Sequence, residues 1–244
     1  MSAKVSFIPT RQEAPPVNAV ALTPEQRSAA LMACALLLDY PGDNFEEILS
    51  QVKTEAELLP TKIGRELGEF CSWARMRGVR GVRGVQEDYV DTFDRKRRCS
   101  LELTYYATGD TRQRGIALTV FSDLFNAVGF EPPHRESLPD YLPRVLELAA
   151  RCEGEDLALV LGAIAASREG IEVLHAALLS LDSPWQKVVA ALRMVLGEAD
   201  GETTERMERL IRQGPPTELV GLDDSNNLPW PQLAPVQSDT ASEG

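Results

Sequence analysis

TPEQRSAALMACALLLDYPG, residues 23–42, decides the fold class. Thr23 followed by Pro24 and then Gln26 is a helix start. Proline's missing N–H falls where no intrahelical partner exists, and the Thr and Gln side chains satisfy each other's backbone donors. Leu31, Cys34, Ala35 and Leu38 then recur at helical spacing, over an arc wide enough that the helix must be mostly buried. Asp39-Tyr40-Pro41-Gly42 is the turn that stops it. A buried helix needs other helices around it.

The rest of the chain supplies them. Asp43 with Glu46 predicts a second capping box, opening a helix with Phe45, Ile48, Leu49 and Val52 on one face, and Pro60 closes it. Ile63, Leu67, Phe70, Cys71 and Ala74 mark a third amphipathic helix. The imperfect repeat GVRGVRG, residues 78–84, reads as a loop or frayed helix end with solvated arginines. Val85, Tyr89 and Phe93 restore helical spacing. Asp110 or Thr111 is expected to cap a helix carrying Ala117, Val120, Phe121, Leu124 and Val128, and Gly129-Phe130 to end it in a Schellman turn.

Residues 131–143 hold four prolines and predict a stiff, non-helical connection. Asp140 is expected to cap the next helix (Val145, Leu146, Leu148), with Pro143 in its first turn. Helices follow at 155–166 and 168–181, and Ser183-Pro184-Trp185-Gln186 opens the last, ending near Gly197. No alternating run of β-branched residues suggests a strand. The expectation is an all-α fold: one globular helical domain at 23–197, a flexible tail at 1–22, and an acidic, mostly disordered tail at 198–244 with a short charged helix at 204–212.

With 244 residues, 43% of them hydrophobic, the chain suffices for one sizeable core. Its formal net charge is −12: +1 on residues 1–22, −7 on residues 198–244 and −6 on the body between. That balance argues against nucleic acid, which calls for a basic face; read on charge alone it serves solubility first, and it would also favour partners bearing Lys or Arg. There is no apolar run long enough to span a membrane and no secretory h-region near the start, so a cytoplasmic protein is expected. Cys34, Cys71, Cys99 and Cys152 lie far apart, as reduced thiols do, and two histidines, His134 and His175, leave little to complete a metal site. No phosphate loop, GxSxG or HExxH occurs. Cys99, beside Arg97 and Arg98, is the one candidate nucleophile; the two cations would lower its pKa, but no histidine base is placed near it.

YVDTFDRKRRCSLELTYYATGDTRQRG, residues 89–115, concentrates what a binding surface needs: aromatics, a run of four cations and an Asp-Thr-Arg turn between two helical patterns. The cations Arg95, Lys96, Arg97 and Arg98 follow Glu87, Asp88, Asp91 and Asp94, so pairing within the chain is the favoured reading. Asp94, Asp110 and Asp140 sit at helix boundaries, where they either cap or face a groove. Tyr105 and Tyr106 are adjacent, point different ways on any regular element and each need a hydroxyl partner when buried. At least one of them is therefore expected near the surface, as a groove wall.

LLLDYPGDNFEEIL, the 89–115 stretch and SLPDYLPRVLELAA resemble, in order and spacing, the NarJ-type chaperones that assemble respiratory nitrate reductase. They belong among the TorD/DmsD-like redox enzyme maturation chaperones, and the likeness covers about residues 27–197. The GVRGVRG repeat looks like an insertion, and Tyr141 stands where relatives often carry His. The resemblance implies an all-helical, cytoplasmic protein that is not an enzyme and holds no permanent cofactor. It binds the N-terminal segment of the catalytic subunit of nitrate reductase while molybdenum bis-guanine-dinucleotide is inserted, assists iron–sulfur loading, and works beside the cofactor-insertion machinery in nitrate assimilation. Such a client is an unfolded-protein ligand. Its amphipathic helix would lie in a groove formed by Tyr105, Tyr106, Asp110, Arg112, Leu138, Pro139, Asp140, Tyr141 and Pro143, supported by Phe93, Asp94 and Arg114. Arg112 and Arg114 would pair Asp94 or meet the client, and Asp140 would meet a client cation. The rival readings are a helical scaffold or adaptor for another amphipathic peptide, and a cysteine enzyme at Cys99.

Overall fold

A computed structural model describes residues 20–79, 81–132 and 137–197. The described residues form α1 (Pro24–Leu38), α2 (Phe45–Leu58), α3 (Thr61–Arg77), α4 (Arg83–Tyr89), α5 (Tyr105–Thr108), α6 (Gln113–Ala127), α7 (Leu142–Arg151), α8 (Gly154–Ala166), α9 (Arg168–Ser180) and α10 (Trp185–Leu196). No strand occurs among them, only an isolated antiparallel bridge between Glu102 and Tyr141. The all-α expectation holds. Residues 1–19 and the acidic tail 198–244, with its expected short helix, lie outside the described residues, as does His134. Val20 and Leu22, assigned to the tail by sequence, pack against the core.

The capping box of α1 forms as read: Thr23 Oγ1 accepts the Gln26 N–H and Gln26 Oε1 accepts the Thr23 N–H, both at 3.2 Å. α1 lies between α7 and α10, and α3 spans α2 and α10. Their common centre is Trp185, 1% exposed. Its ring lies 5.6 Å from Phe70, 5.3 Å from Trp73, 5.7 Å from Tyr89 and 5.4 Å from Phe93. Its Nε1–H donates to the Leu37 carbonyl at 3.1 Å, so the indole carries no unmet donor into the core.

α4 runs into one π turn at Val90–Asp94, closed by the Arg95 N–H on the Val90 carbonyl at 3.1 Å. The wider turn buries Thr92 and Phe93 and leaves Asp91 and Asp94 exposed. Gly129 takes φ +77° and the Phe130 N–H returns to the Phe125 carbonyl at 2.9 Å, the expected Schellman ending of α6.

Other caps differ from the sequence reading. The N-caps of α2, α6 and α7 are Asn44, Arg112 and Tyr141, none with a side-chain capping bond. At α2 the cap falls on Asn44, one residue past the expected Asp43, and the residues expected at α6 and α7 are engaged elsewhere: Asp110 with Arg97 and Arg114, Thr111 with the Thr108 carbonyl, Asp140 with Thr104. α9 is buried from Arg168 to Leu178. Glu172 bridges Arg168 at 2.8 Å and Arg193 at 2.7 Å, and Arg193 reaches His175 Nδ1 at 2.9 Å. Burial and the adjacent Arg193 push His175 down to about 3, so it stays a neutral acceptor.

Candidate functional site

The two stretches singled out by sequence are welded together. The Leu103 N–H donates to the Asp140 carbonyl at 3.0 Å and the Leu142 N–H to the Leu101 carbonyl at 2.7 Å. Between these bonds Asp140 closes the joint with its side chain. Its Oδ2 accepts the Thr104 N–H at 3.0 Å and the Thr104 hydroxyl at 2.6 Å. Asp140 is fully buried. Burial pushes its carboxyl above the usual range, although the two Thr104 bonds pull the other way.

A chain of hydroxyls leads outward from this joint. Tyr89 Oη donates to Tyr141 Oη at 2.8 Å and Tyr141 Oη donates on to Asp39 Oδ1 at 3.2 Å, with the Leu38 carbonyl 3.1 Å from Tyr89 Oη as an alternative acceptor for the single Tyr89 proton. Burial raises both phenols, so both keep their protons. Asp39 Oδ1 also accepts the Tyr40 N–H at 2.9 Å, and Tyr40 packs edge-on against Tyr89 at 5.4 Å. The ends of α1, α4 and the segment before α7 thus meet at one place. Each of the three quoted sequence blocks contributes to it.

An ionic ladder covers the neighbouring surface. Arg97 pairs with Asp110 at 3.2 Å, Asp110 with Arg114 at 3.2 Å, and Arg114 with Glu102 at 2.8 Å. Arg95 pairs with Asp91 at 2.6 Å, and Lys96 donates to the Asp91 carbonyl. Within the basic run, then, Arg95 pairs with one of the acids ahead of it as read, Arg97 finds its acid after the run, and Lys96 meets a carbonyl in place of a carboxylate. Arg114 takes Glu102 and Asp110, not the expected Asp94.

The expected groove walls are not a surface. Tyr105 and Tyr106 are 7% and 2% exposed. The reading that one must surface fails because the buried site meets the needs of Tyr106. Its hydroxyl lies 3.1 Å from the Arg98 carbonyl and 3.0 Å from the Ser100 carbonyl. Its ring lies on Gly170 of α9, where an added Cβ would sit 2.7 Å from Cδ2. Phe93 and Pro143 are likewise buried, Phe93 in the Trp185 cluster and Pro143 in the first turn of α7. Pro139, Tyr141 and Arg114 are half-buried; Asp94, Asp110, Arg112 and Leu138 are exposed.

Cys99 is fully buried, and burial pushes its thiol up to about 11 despite the pull of Arg98 and Lys96. The expected depression of its pKa is overturned: desolvation outweighs the two nearby cations. No group of three His, Cys, Asp or Glu residues is placed to hold a metal among the described residues. None of the described helices is long and apolar enough to cross a membrane.

A family model described as nitrate reductase delta subunit matches residues 56–191, more than half of the chain. The chain belongs to the nitrate reductase delta subunit family. It is 31% identical over 129 residues to a Bacillus subtilis protein named probable nitrate reductase molybdenum cofactor assembly chaperone NarJ, covering 53% of this chain and 68% of that protein. The Escherichia coli protein named nitrate reductase molybdenum cofactor assembly chaperone NarJ is 29% identical over 161 residues, 62% of this chain and 66% of that one. A Mycobacterium tuberculosis protein named nitrate reductase-like protein NarX is 46% identical over 67 residues, 28% of this chain but a tenth (10%) of NarX.

Sequence reasoning missed Asp39, Tyr40, Tyr89 and Arg144 in this member of the nitrate reductase delta subunit family. The signal available was the Asp-Tyr pair ahead of a Pro-Gly turn, in a block already noted for its likeness. Asp39 and Tyr40 lie before the residues matched by the family model. Tyr40 is the exposed aromatic of the cluster, at 50%.

Proposed function

We propose that this protein is an assembly chaperone for a nitrate reductase, holding the catalytic subunit through its N-terminal segment while molybdenum bis-guanine-dinucleotide is inserted and iron–sulfur clusters are loaded. The family match over residues 56–191 carries this reading, and the two NarJ relatives support it. The protein acts in the cytoplasm as a binding protein, not an enzyme, with no resident cofactor, and hands the client on to the cofactor-insertion machinery.

The chemistry asked of such a protein is recognition. Tyr40, Leu138 and Tyr141 offer aromatic and apolar surface beside the charged Asp39 and Arg144, suited to a short amphipathic helix. The buried joint of Tyr105, Tyr106, Thr104 and Asp140 lies beneath that surface and keeps it rigid, so little conformational freedom is lost on binding. Asp110 and Arg112, exposed on the 89–115 stretch, would meet charged residues of the client.

The experiment is purification of the protein from cells making the nitrate reductase catalytic subunit, with molybdenum measured in the captured client. A molybdenum-poor catalytic subunit should co-purify with the wild-type protein, and less of it with Tyr40→Ala or Leu138→Asp. If no catalytic subunit is captured by the folded protein, the reading falls; capture of a fully loaded client would favour a scaffold.

A further inference from the structure

Asp140 is enclosed and its Oδ2 is taken by Thr104, so it does not meet a client's cation. The carboxylate of the same network that reaches solvent is Asp39, whose side chain is 37% exposed. Its Oδ1 is fixed by the Tyr40 N–H at 2.9 Å and the Tyr141 hydroxyl at 3.2 Å. Among the described residues its Oδ2 has only Arg144 nearby, at 3.6 Å, beyond hydrogen-bonding distance. Arg144 is itself drawn off by Glu147, at 2.9 Å. Asp39 is thus a preoriented carboxylate with one oxygen open to a stronger donor.

Beside it stands the exposed ring of Tyr40. Tyr89 meets that ring at 88°, an arrangement in which it covers at most one face of Tyr40. The ring is held in place from behind: Pro41 follows it, and Gln86 Nε2 donates to the Pro41 carbonyl at 2.8 Å. An aromatic face next to an open carboxylate is the arrangement that takes a cation, through ring quadrupole and charge-assisted hydrogen bond together. The body of the chain, residues 23–197, carries a formal charge of −6, which favours the same sign of ligand.

We infer that Asp39 and Tyr40 form a clamp for one arginine or lysine side chain of the bound peptide. As a statement about the client, the clamp rests on the chaperone reading. The cation lies on the free face of Tyr40 and donates to Asp39 Oδ2, and Arg144 shifts wholly onto Glu147. The buried Tyr89–Tyr141 pair acts as a positioning element, since it fixes the carboxylate without touching the ligand.

The test uses the full chain, isotope-labelled, titrated with N-acetyl-arginine amide and with its uncharged citrulline analogue, while backbone amide shifts are followed. Arginine amide should shift residues 39, 40, 42 and 89 saturably, and citrulline amide should not. Asp39→Asn and Tyr40→Leu, each with a native helical spectrum, should weaken the arginine response by about tenfold. Equal shifts with citrulline, or an undiminished response in both variants, would overturn the clamp. A synthetic N-terminal peptide of the catalytic subunit separates the two proposals. If it binds wild-type and both variants alike, the clamp falls and the chaperone reading stands. If arginine amide binds at the clamp while no catalytic subunit is captured from cells, the clamp stands and the chaperone reading falls.

Discussion

The phenol oxygens of Tyr89 and Tyr141 lie 2.8 Å apart, and through them α4 and the start of α7 are tied to the end of α1. Neither tyrosine is needed for bulk alone, since a phenylalanine would fill the same volume. Their hydroxyls orient Asp39 and thereby the exposed Tyr40. The site is built from three segments far apart in the chain, joined by side chains buried beneath it.

Tyr141→Phe removes the hydroxyl between Tyr89 and Asp39, and the Tyr89 proton is then left to the Leu38 carbonyl. Loss of one partly buried hydrogen bond that also leaves Asp39 Oδ1 with one donor fewer should cost about 1 kcal/mol of stability. Urea denaturation should show a lower midpoint at unchanged slope. A midpoint equal to wild type would mean that water replaces the phenol without loss.

Two glycines should respond oppositely to alanine. At Gly170 an added Cβ would sit 2.7 Å from Tyr106 Cδ2, and the Tyr106 ring is held at its far end by the Arg98 and Ser100 carbonyls. The ring has no room to retreat, so Gly170→Ala should destabilise by about 1–3 kcal/mol. Gly162, within α8, has nothing within 4 Å of an added Cβ. Gly162→Ala should stabilise by about 0.5–1 kcal/mol through helix propensity alone. Thermal or urea unfolding of the pair gives the comparison, and the same sign for both would sink the packing account.

Helical periodicity made the fold legible. Leu31 to Leu38 in α1, Ile63 to Ala74 in α3 and Ala117, Phe121 and Leu124 in α6 all lie on the faces read from spacing, because burial of one stripe dominates where a helix forms. The caps of α6 and α7 were not legible. Asp110 and Asp140 suit a cap by residue type, but partners from other parts of the chain claimed them, and a linear pattern carries no record of those partners. The site was half legible for the same reason. The 89–115 and 138–143 stretches do meet, as expected from their oddity. Which side chains face solvent depended on Gly170 and on the carbonyls of Arg98 and Ser100, neither of which a sequence places beside Tyr106.

The thiols offer a check on the non-catalytic reading. All four cysteines are buried, and burial raises Cys34 to about 12 and Cys71 and Cys99 to about 11. At pH near 8 they are therefore protonated and shielded. A disulfide reagent should label none of them quickly in the native protein and all four after denaturation. Rapid native labelling of Cys99 would revive a reactive-thiol role.

Asp140 should leave a signature in the pH dependence of stability. Burial holds its carboxyl above the ordinary 3.8, against the pull of the Thr104 bonds. The folded protein therefore keeps a proton that the unfolded chain has already released. Stability contributed by this group falls as pH rises from the ordinary carboxyl range to the raised folded value, and is constant beyond it. Asp140→Asn removes the titration while its carbonyl oxygen still accepts from Thr104. Its new amide group sits where Asp140 Oδ1 has no hydrogen-bond partner, a loss that is the same at every pH. The stability of Asp140→Asn relative to wild type should thus move in the variant's favour as pH rises through that window, then level off. Urea midpoints of both proteins from about pH 3 to pH 8 measure it. Movement in the opposite direction would mean that the fold stabilises the charged carboxylate, with the two Thr104 bonds and Arg114 outweighing the loss of solvation.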